Sequence, residues 1–383
     1  MTEPAVVERI RSFLQTTDLP DGGSLLHVFT DAHHTLLDHG GLGPYQRFTL
    51  EVGGTARHPD LVGQLDDGES ILAVEAKGTG DLLKGETQAE TYQDGFQYSF
   101  LAAPTERIGP STESRLRDKN IGLLAVSEDV RPLVWPRARQ PWRDPYQSIR
   151  RQLDTGVRAQ EWSTFTYNLP THYLAWTLAL ESGPLYNTAK LPGLIDAYDA
   201  MPKRWKGALR GAETLGLVRI RGNGVRLTPT GGAVGDILDT SLPKWDDVHR
   251  KAIHSTVADV MPRAGAALRI VLLQEPMVRL VVRGLKETKD TATMPQLIRA
   301  CDALDHDRAP TLFFHPKRSA EILDDRGRVQ WDRVEPIHYR STTFYQMKSI
   351  LKHAGVLKDN GLGGSSVKEY DPDEDLWALR ETV

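Results

Sequence analysis

Three charged residues in the stretch 58–78, "HPDLVGQLDDGESILAVEAKG", are of types that do chemistry together. Asp60 follows a proline and opens the run "DLVGQL"; Glu75 and Lys77 close the apolar run "ILAVEAK". Both runs read as strands, and "DDGE" between them is a strong turn signal. Strand side chains repeat every two residues, so Glu75 and Lys77 share a face. In an antiparallel hairpin the start of one strand lies beside the end of the next, which brings Asp60 to the same end. Two carboxylates there suit Mg²⁺, a hard cation that takes oxygen ligands and keeps several waters. Such an ion polarises a phosphate oxygen and lowers the pKa of a bound water. A lysine two residues on can orient that water and stabilise charge building on phosphorus. The plainer alternative is a hairpin with an exposed ion pair, which would be worth little. Against it, Glu75 and Lys77 interrupt the apolar run at its end, where the rim of a site would lie.

Pro59–Asp60 followed by Glu75–Ala76–Lys77 resembles the PD-(D/E)xK nuclease superfamily of restriction-endonuclease-like enzymes, over roughly residues 20–135. That resemblance implies a mixed sheet flanked by helices. It implies that Asp60 and Glu75 bind Mg²⁺ (Mn²⁺ substituting), that the main-chain carbonyl of Ala76 helps, and that Lys77 serves the attacking water. Gln88 and Tyr92 are similar to the QxxxY element of some branches, and at one helical turn apart both can face the site. Many members also carry a glutamate on the helix before the first strand. The matching segment here offers His27, Asp31, His33, His34 and Asp38, so Asp31 stands in on charge, with Glu8 on an earlier helix. His33 and His34 are adjacent, would point about 100° apart on a helix, and have no third ligand at suitable spacing; a structural role is expected of them.

The elements that must position these residues are read as follows. Residues 5–15 and 24–39 are expected as helices, the second stopping at Gly40–Gly41. "QRFTLEV" is expected as a strand, "GETQAETYQDGFQYSFLAA" as mainly helix, and "NIGLLAVS" and "RPLVWP" as closing strands. The order indicates an α/β layer around a central sheet. "PRARQPWRDPYQ" reads as a linker. Beyond it, three helices within 170–215 and the hairpin "RIRGNGVRL", with Asn223–Gly224 as its turn, give the winged-helix order. A second winged helix is expected within 290–383, its tip at "GLGGSS", while "LRIVLLQEP" and "VRLVVRGL" look like strands. The fold class is therefore an α/β N-terminal domain (1–145) followed by mainly α winged-helix domains (160–240 and 241–383).

Winged helices usually bind nucleic acid through the third helix and the hairpin. The first module offers Lys203, Arg204, Lys206 and Arg210 on its third helix and Arg219, Arg221 and Arg226 on its wing; phosphate contacts need such side chains. In the second, Arg340, Thr343, Gln346, Lys348 and Lys352 are the candidates. DNA is the expected partner, and cutting both strands calls for a homodimer or a place in a larger complex. The architecture looks like a prokaryotic restriction or anti-phage defence effector. A non-catalytic DNA-binding regulator on the same scaffold, or a complex subunit whose winged helices bind protein, are the other classes.

Length and composition bound these readings. A chain of 383 residues exceeds the roughly 250–300 at which one core stops growing. Hydrophobic residues at 39% and charged ones at 26% fit a folded globular chain. The single cysteine, Cys301, excludes an intrachain disulfide and a Cys-based zinc site. No apolar run is long enough for a signal peptide or a membrane span, and the expected location is cytoplasmic. A net charge of −4 gives no global basic signal, though it leaves room for a local basic groove. No phosphate-cradling Walker or dinucleotide motif is present.

Overall fold

The computed structural model describes residues 1–20, 23–37, 43–163, 165, 169–361 and 370–380. The chain divides into two compact units, Met1–Val157 with Phe314–Tyr339, and Arg158–Phe313 with Arg340–Val383.

The first unit is built on a six-stranded mixed sheet. Helix α1 (Glu3–Thr16) leads into β1 (Leu25–Thr30) and a 3₁₀ turn (Ala32–Leu37); a small hairpin, β2 (Leu50–Val52) and β3 (Thr55–Arg57), follows. Then come β4 (Leu61–Leu65), β5 (Ile71–Ala76), α2 (Leu82–Tyr92), β6 (Tyr98–Pro104), α3 (Pro110–Asp118), β7 (Gly122–Val126), β8 (Val130–Val134) and α4 (Arg143–Ser163). The sheet order is β1-β4-β5-β6-β7-β8, with β5, β6 and β7 parallel and the other pairings antiparallel. Both faces are covered, so β5, β6 and β7 are buried throughout, as interior strands of an α/β layer are. Leu72, Val74 and Ala76 face α1 through Val6, Val7, Ile10 and Leu14. Ile71 and Ala73 face the opposite side, against Tyr92, Phe96, Ile149 and Leu153.

Several sequence expectations are corrected here. Of the segment 24–39 expected as a helix, Leu25–Thr30 is a strand and Ala32–Leu37 a 3₁₀ turn, because "HVFT" pairs antiparallel with β4 and that pairing outweighs the helical spacing of its leucines. The strand expected over "QRFTLEV" is confined to Leu50–Val52. Helix α2 ends at Tyr92, and "YSFLAAP" is β6, parallel to β5. The expected linker already contains the start of α4. Asp38, Gly40 and Gly41 lie outside the described residues.

The second unit is mostly helical. It starts with α5 (Thr171–Ala179), β9 (Tyr186–Asn187), α6 (Leu191–Ile195), α7 (Trp205–Thr214) and the hairpin β10 (Val218–Arg221) and β11 (Gly224–Leu227), which β9 extends to three strands. The turn centres on Gly222–Asn223, one residue earlier than expected, with Gly222 at φ +54°, where a hairpin of this kind favours glycine. Next are α8 (Pro229–Leu238), α9 (Leu242–Ala252), α10 (Val257–Val260), α11 (Pro262–Gln274) and α12 (Pro276–Glu287). Helices α11 and α12 replace the two strands expected there. Each opens on a proline, and buried Met277, Val278, Val281 and Leu285 follow the helical period. After β12 (Thr291–Thr293), α13 (Met294–Leu304) and α14 (Ala309–Phe313), the chain leaves for the segment of the first unit, with α15 (Ser319–Ile322), and returns as α16 (Ser341–His353). Strand β13 (Leu376–Ala378) pairs with β12; the "GLGGSS" tip, after Gly361, lies outside the described residues. Among the described residues no helix is long and apolar enough to cross a membrane.

A buried aromatic and histidine cluster ties α5 to α9. His172 and His249 rings lie 4.8 Å apart, and His249 Nδ1 sits 2.8 Å from Thr171 Oγ1 and 3.0 Å from the Tyr198 hydroxyl. Burial, and next the neighbouring His249, pushes His172 down to about 4; burial pushes His353 of α16 down to about 4 as well. Both rings are held neutral in the folded chain, while the unfolded chain takes up their protons near 6.5. The unfolded state therefore binds more protons between about 6.5 and about 4, and stability falls as pH falls through that window, by roughly 1.4 kcal/mol per pH unit for each ring. In thermal melts of the full chain these two rings should contribute a loss of Tm toward pH 5. Replacing His172 with glutamine should flatten that slope.

Candidate active site

Asp60, Glu75 and Lys77 meet at the C-terminal end of β5. Asp60 precedes β4, and its Oδ2 accepts the Ala76 amide at 2.6 Å, which pins the carboxylate to the neighbouring strand. Its Oδ1 lies 2.9 Å from His34 Nε2. Glu75 shares its strand face with Ile71 and Ala73 and is 2% exposed. One Glu75 oxygen takes the Lys77 ammonium and the other lies 2.5 Å from the Tyr92 hydroxyl, which is also 3.0 Å from the His58 carbonyl oxygen. Helix α2 makes room for the lysine: a Cβ on Gly85 would come 2.8 Å from Lys77 Cγ.

The electrostatics follow from that crowding. Burial, reinforced by the Asp60 charge, lifts Glu75 to about 8 despite its lysine. Burial alone would lower Lys77, but the Glu75 charge and hydrogen bond outweigh it and the ammonium is raised. Burial likewise pulls His34 down, and the hydrogen bond and charge of Asp60, with Asp31 and Glu3, carry it above its usual value. The site is thus closed on itself, with Lys77 on one Glu75 oxygen and His34 on one Asp60 oxygen.

The remaining expected residues fall in different places. Gln88 is on the Tyr92 face of α2, and its buried Oε1 has no hydrogen-bond partner. Ala76 contributes its amide to Asp60. Asp31 is buried, its amide donates to the Asp60 carbonyl at 2.8 Å, and burial raises its carboxyl. Two residues were missed. His34, assigned only a structural role, bonds Asp60 directly. Glu3, in the first turn of α1, lies within electrostatic reach of Asp60, Lys77 and His34, and burial, then Asp60, raises its carboxyl. The start of α1 packs so closely on the end of β5 that a Cβ on Gly78 would collide with the Glu3 amide. The sequence signal for Glu3 is an acidic residue on the helix preceding the first strand; Glu8, named above, lies on that same helix.

No protein-family model, curated protein or solved structure matches this chain. The site therefore stands on its own geometry.

Among the described residues no three His, Cys, Asp or Glu side chains are spaced to enclose a metal ion. The donors at the end of β5 are nevertheless hard oxygens: two carboxylates and adjacent main chain, with Glu3 close by. Mg²⁺ is commonly held by one or two carboxylates and its own waters, so this donor set fits it. Binding would compete with Lys77 and His34 for the carboxylate oxygens.

The basic residues of the second unit split into two groups. Lys203 and Arg204 precede α7, Lys206 and Arg210 lie on it, and all four are exposed. Arg219, Arg221 and Arg226 are exposed on one face of the hairpin, and Arg219 is directly opposite Arg226. Like charges opposed across a strand pair are destabilising, and this face concentrates positive charge. The group expected on α16 is not available to DNA. Lys348 is 1% exposed and ion-paired with Asp375, Thr343 is buried, and Lys352 pairs with Asp359 at 3.0 Å. Helix α16 is a core helix, with Phe344, Met347, Ile350 and Leu351 inside.

Proposed function

We propose that this chain is an Mg²⁺-dependent DNA endonuclease of the PD-(D/E)xK kind, with winged-helix modules in its second unit. The observation that carries the reading is the convergence of Asp60, Glu75 and Lys77 on the end of β5, two strands and one turn apart in sequence. Bound Mg²⁺, with Mn²⁺ as substitute, would polarise the phosphodiester and acidify a water. Asp60, Glu75 and the Ala76 carbonyl would hold it, with Glu3 the nearest further carboxylate. The Lys77 ammonium would position the attacking water and stabilise charge on the phosphorus oxygens. Tyr92 orients Glu75, and His34 orients Asp60. Cutting both strands would need a second copy or a partner subunit, which suits a prokaryotic restriction or anti-phage defence effector. Plasmid and linear DNA incubated with Mg²⁺ or Mn²⁺ should be cut by the native chain and left intact by Asp60→Ala. Intact DNA and RNA in every arm would sink the reading.

A second reading has one observation in its favour. All four oxygens of Asp60 and Glu75 already have protein partners, as they would in a DNA-binding regulator that uses the scaffold without catalysis. Binding without cleavage at any metal concentration would select it.

Both readings place DNA on the first module. Arg219→Ala with Arg226→Ala should weaken binding at all sequences alike and reduce the slope of log K against log salt by roughly 2, since each phosphate contact contributes about 0.9. Lys352→Ala should leave that slope unchanged.

A further inference from the structure

The segment Phe314–Tyr339 packs as part of the first unit, although the chain on both sides of it belongs to the second. Its neck is closed. Phe314 and Tyr339 form an antiparallel bridge with rings 5.5 Å apart, and the His315 amide donates to the His338 carbonyl at 2.6 Å. Inside, Leu323 bridges Val329, and Asp324 caps the tip by accepting the Arg326 and Arg328 amides at 2.8 Å each. A loop so closed on itself can move as one body. Its ends run straight into α14 and α16.

Its docking points lie along residues 49–58 and on the 3₁₀ turn Ala32–Leu37. At the tip, the Asp325 carbonyl is 2.9 Å from His58 Nε2. The His58 main-chain carbonyl holds Tyr92, which holds Glu75. Gly327, at φ +72°, lies flush against Thr49, and Arg328 is 3.9 Å from Glu51. At the base, α15 packs on the 3₁₀ turn that carries His34, the residue bonded to Asp60. One route therefore runs to each of the two carboxylates.

The hold is light. The Arg328–Glu51 pair is half exposed, and exposed pairs contribute little. His58 Nδ1 also faces the Phe48 carbonyl at 3.0 Å, so the ring divides its polar contacts between the strap and its own unit's main chain. A tip held by such contacts, on a strap continuous with another unit, is the part of it that can release first.

We infer that Phe314–Tyr339 is an autoinhibitory strap: docked, it presses the 3₁₀ turn and His34 onto Asp60 Oδ1 and steadies Tyr92 on Glu75 Oε2; released, it frees those two oxygens for a divalent cation, while Ala76 and Lys77 keep the other two. This rests on the nuclease reading of the site and adds its regulation. The ends of the strap make the second unit the place from which release is driven.

Gly327→Val tests it, because a Cβ there collides with Thr49 and a β-branched residue is strained at positive φ. Arg328→Glu is a milder second variant that sets like charges against each other at Glu51. Hydrogen exchange over 319–339 reports docking, and calorimetric titration with Mn²⁺ reports the site. Faster exchange, Mn²⁺ binding tightened on the order of 10-fold, and faster plasmid cutting are expected. Faster exchange with Mn²⁺ affinity unchanged or weaker would overturn the strap alone. Unchanged exchange in both variants would show that the tip does not hold the strap, and would overturn it too. No Mn²⁺ binding by the native chain or either variant would overturn the metal site, and the strap's role with it.

Discussion

Lys77→Ala should lower the rate of Mg²⁺-dependent cleavage by on the order of 10²–10³-fold while tightening metal binding at alkaline pH, where Glu75 has lost its proton. The two effects have opposite signs because Lys77 does two things. Its ammonium sits on Glu75, where it competes with any cation for that oxygen. In the proposed reaction it would hold the water and face the developing charge, so its loss would fall on kcat. Glu75→Gln separates the roles differently: it removes the ligand, so metal affinity and rate fall together. pH gives a third handle. With Glu75 lifted to about 8, the folded site holds a proton at neutral pH that a metal must displace. Mg²⁺ affinity should therefore climb between pH 6.5 and 8.5 and level off above, and in Lys77→Ala, with the cation gone, the climb should extend to higher pH. Calorimetric titration across that range, beside single-turnover cleavage, gives both quantities. Equal loss of affinity and rate in Lys77→Ala would mean the lysine is structural and the chemistry lies elsewhere.

The part of this site that was readable in the sequence is the part built from local period and turn chemistry. Alternation in "ILAVEAK" placed Glu75 and Lys77 on one face, and "DDGE" fixed the hairpin that returns Asp60 to them. Glu3 and His34 were not readable, because each reaches the site by tertiary docking: α1 lies across the sheet, and the 3₁₀ turn folds against β4. The segment "LLHVFTDAHHTLL" also satisfies a helical spacing of leucines, so only its pairing with β4 decides its structure. The strap illustrates the same limit. Nothing in "HPKRSAEILDDRGRVQWDRVEPIHY" says that it packs with residues some 270 positions earlier; the contact of His58 with Asp325, at a separation of 267, is a property of the folded chain alone.

Lys348 carries the second large prediction, and its expected effect is on folding. Sequence spacing put it on a DNA-reading helix face. The chain instead buries it, with its ammonium on Asp375, a residue 0% exposed that also accepts from the Trp377 indole at 2.7 Å and the Tyr370 hydroxyl at 2.6 Å. That network joins α16 to β13, the strand that pairs with β12, and so closes the last module. Lys348→Met keeps most of the stem's apolar volume but strands the Asp375 charge. Removing one partner of a buried pair typically costs about 3–5 kcal/mol, because the remaining charge has no water to turn to. Lys348→Met with Asp375→Asn should recover much of that loss, since an uncharged amide can still accept from Trp377 and Tyr370. Denaturant unfolding of the single and double variants gives the coupling. If Lys348 instead met DNA, the single variant would melt like the native chain and lose salt-dependent binding. The burial of its ammonium predicts the reverse: a large fall in stability and, in the fraction that remains folded, native DNA affinity through the arginines of β10 and β11.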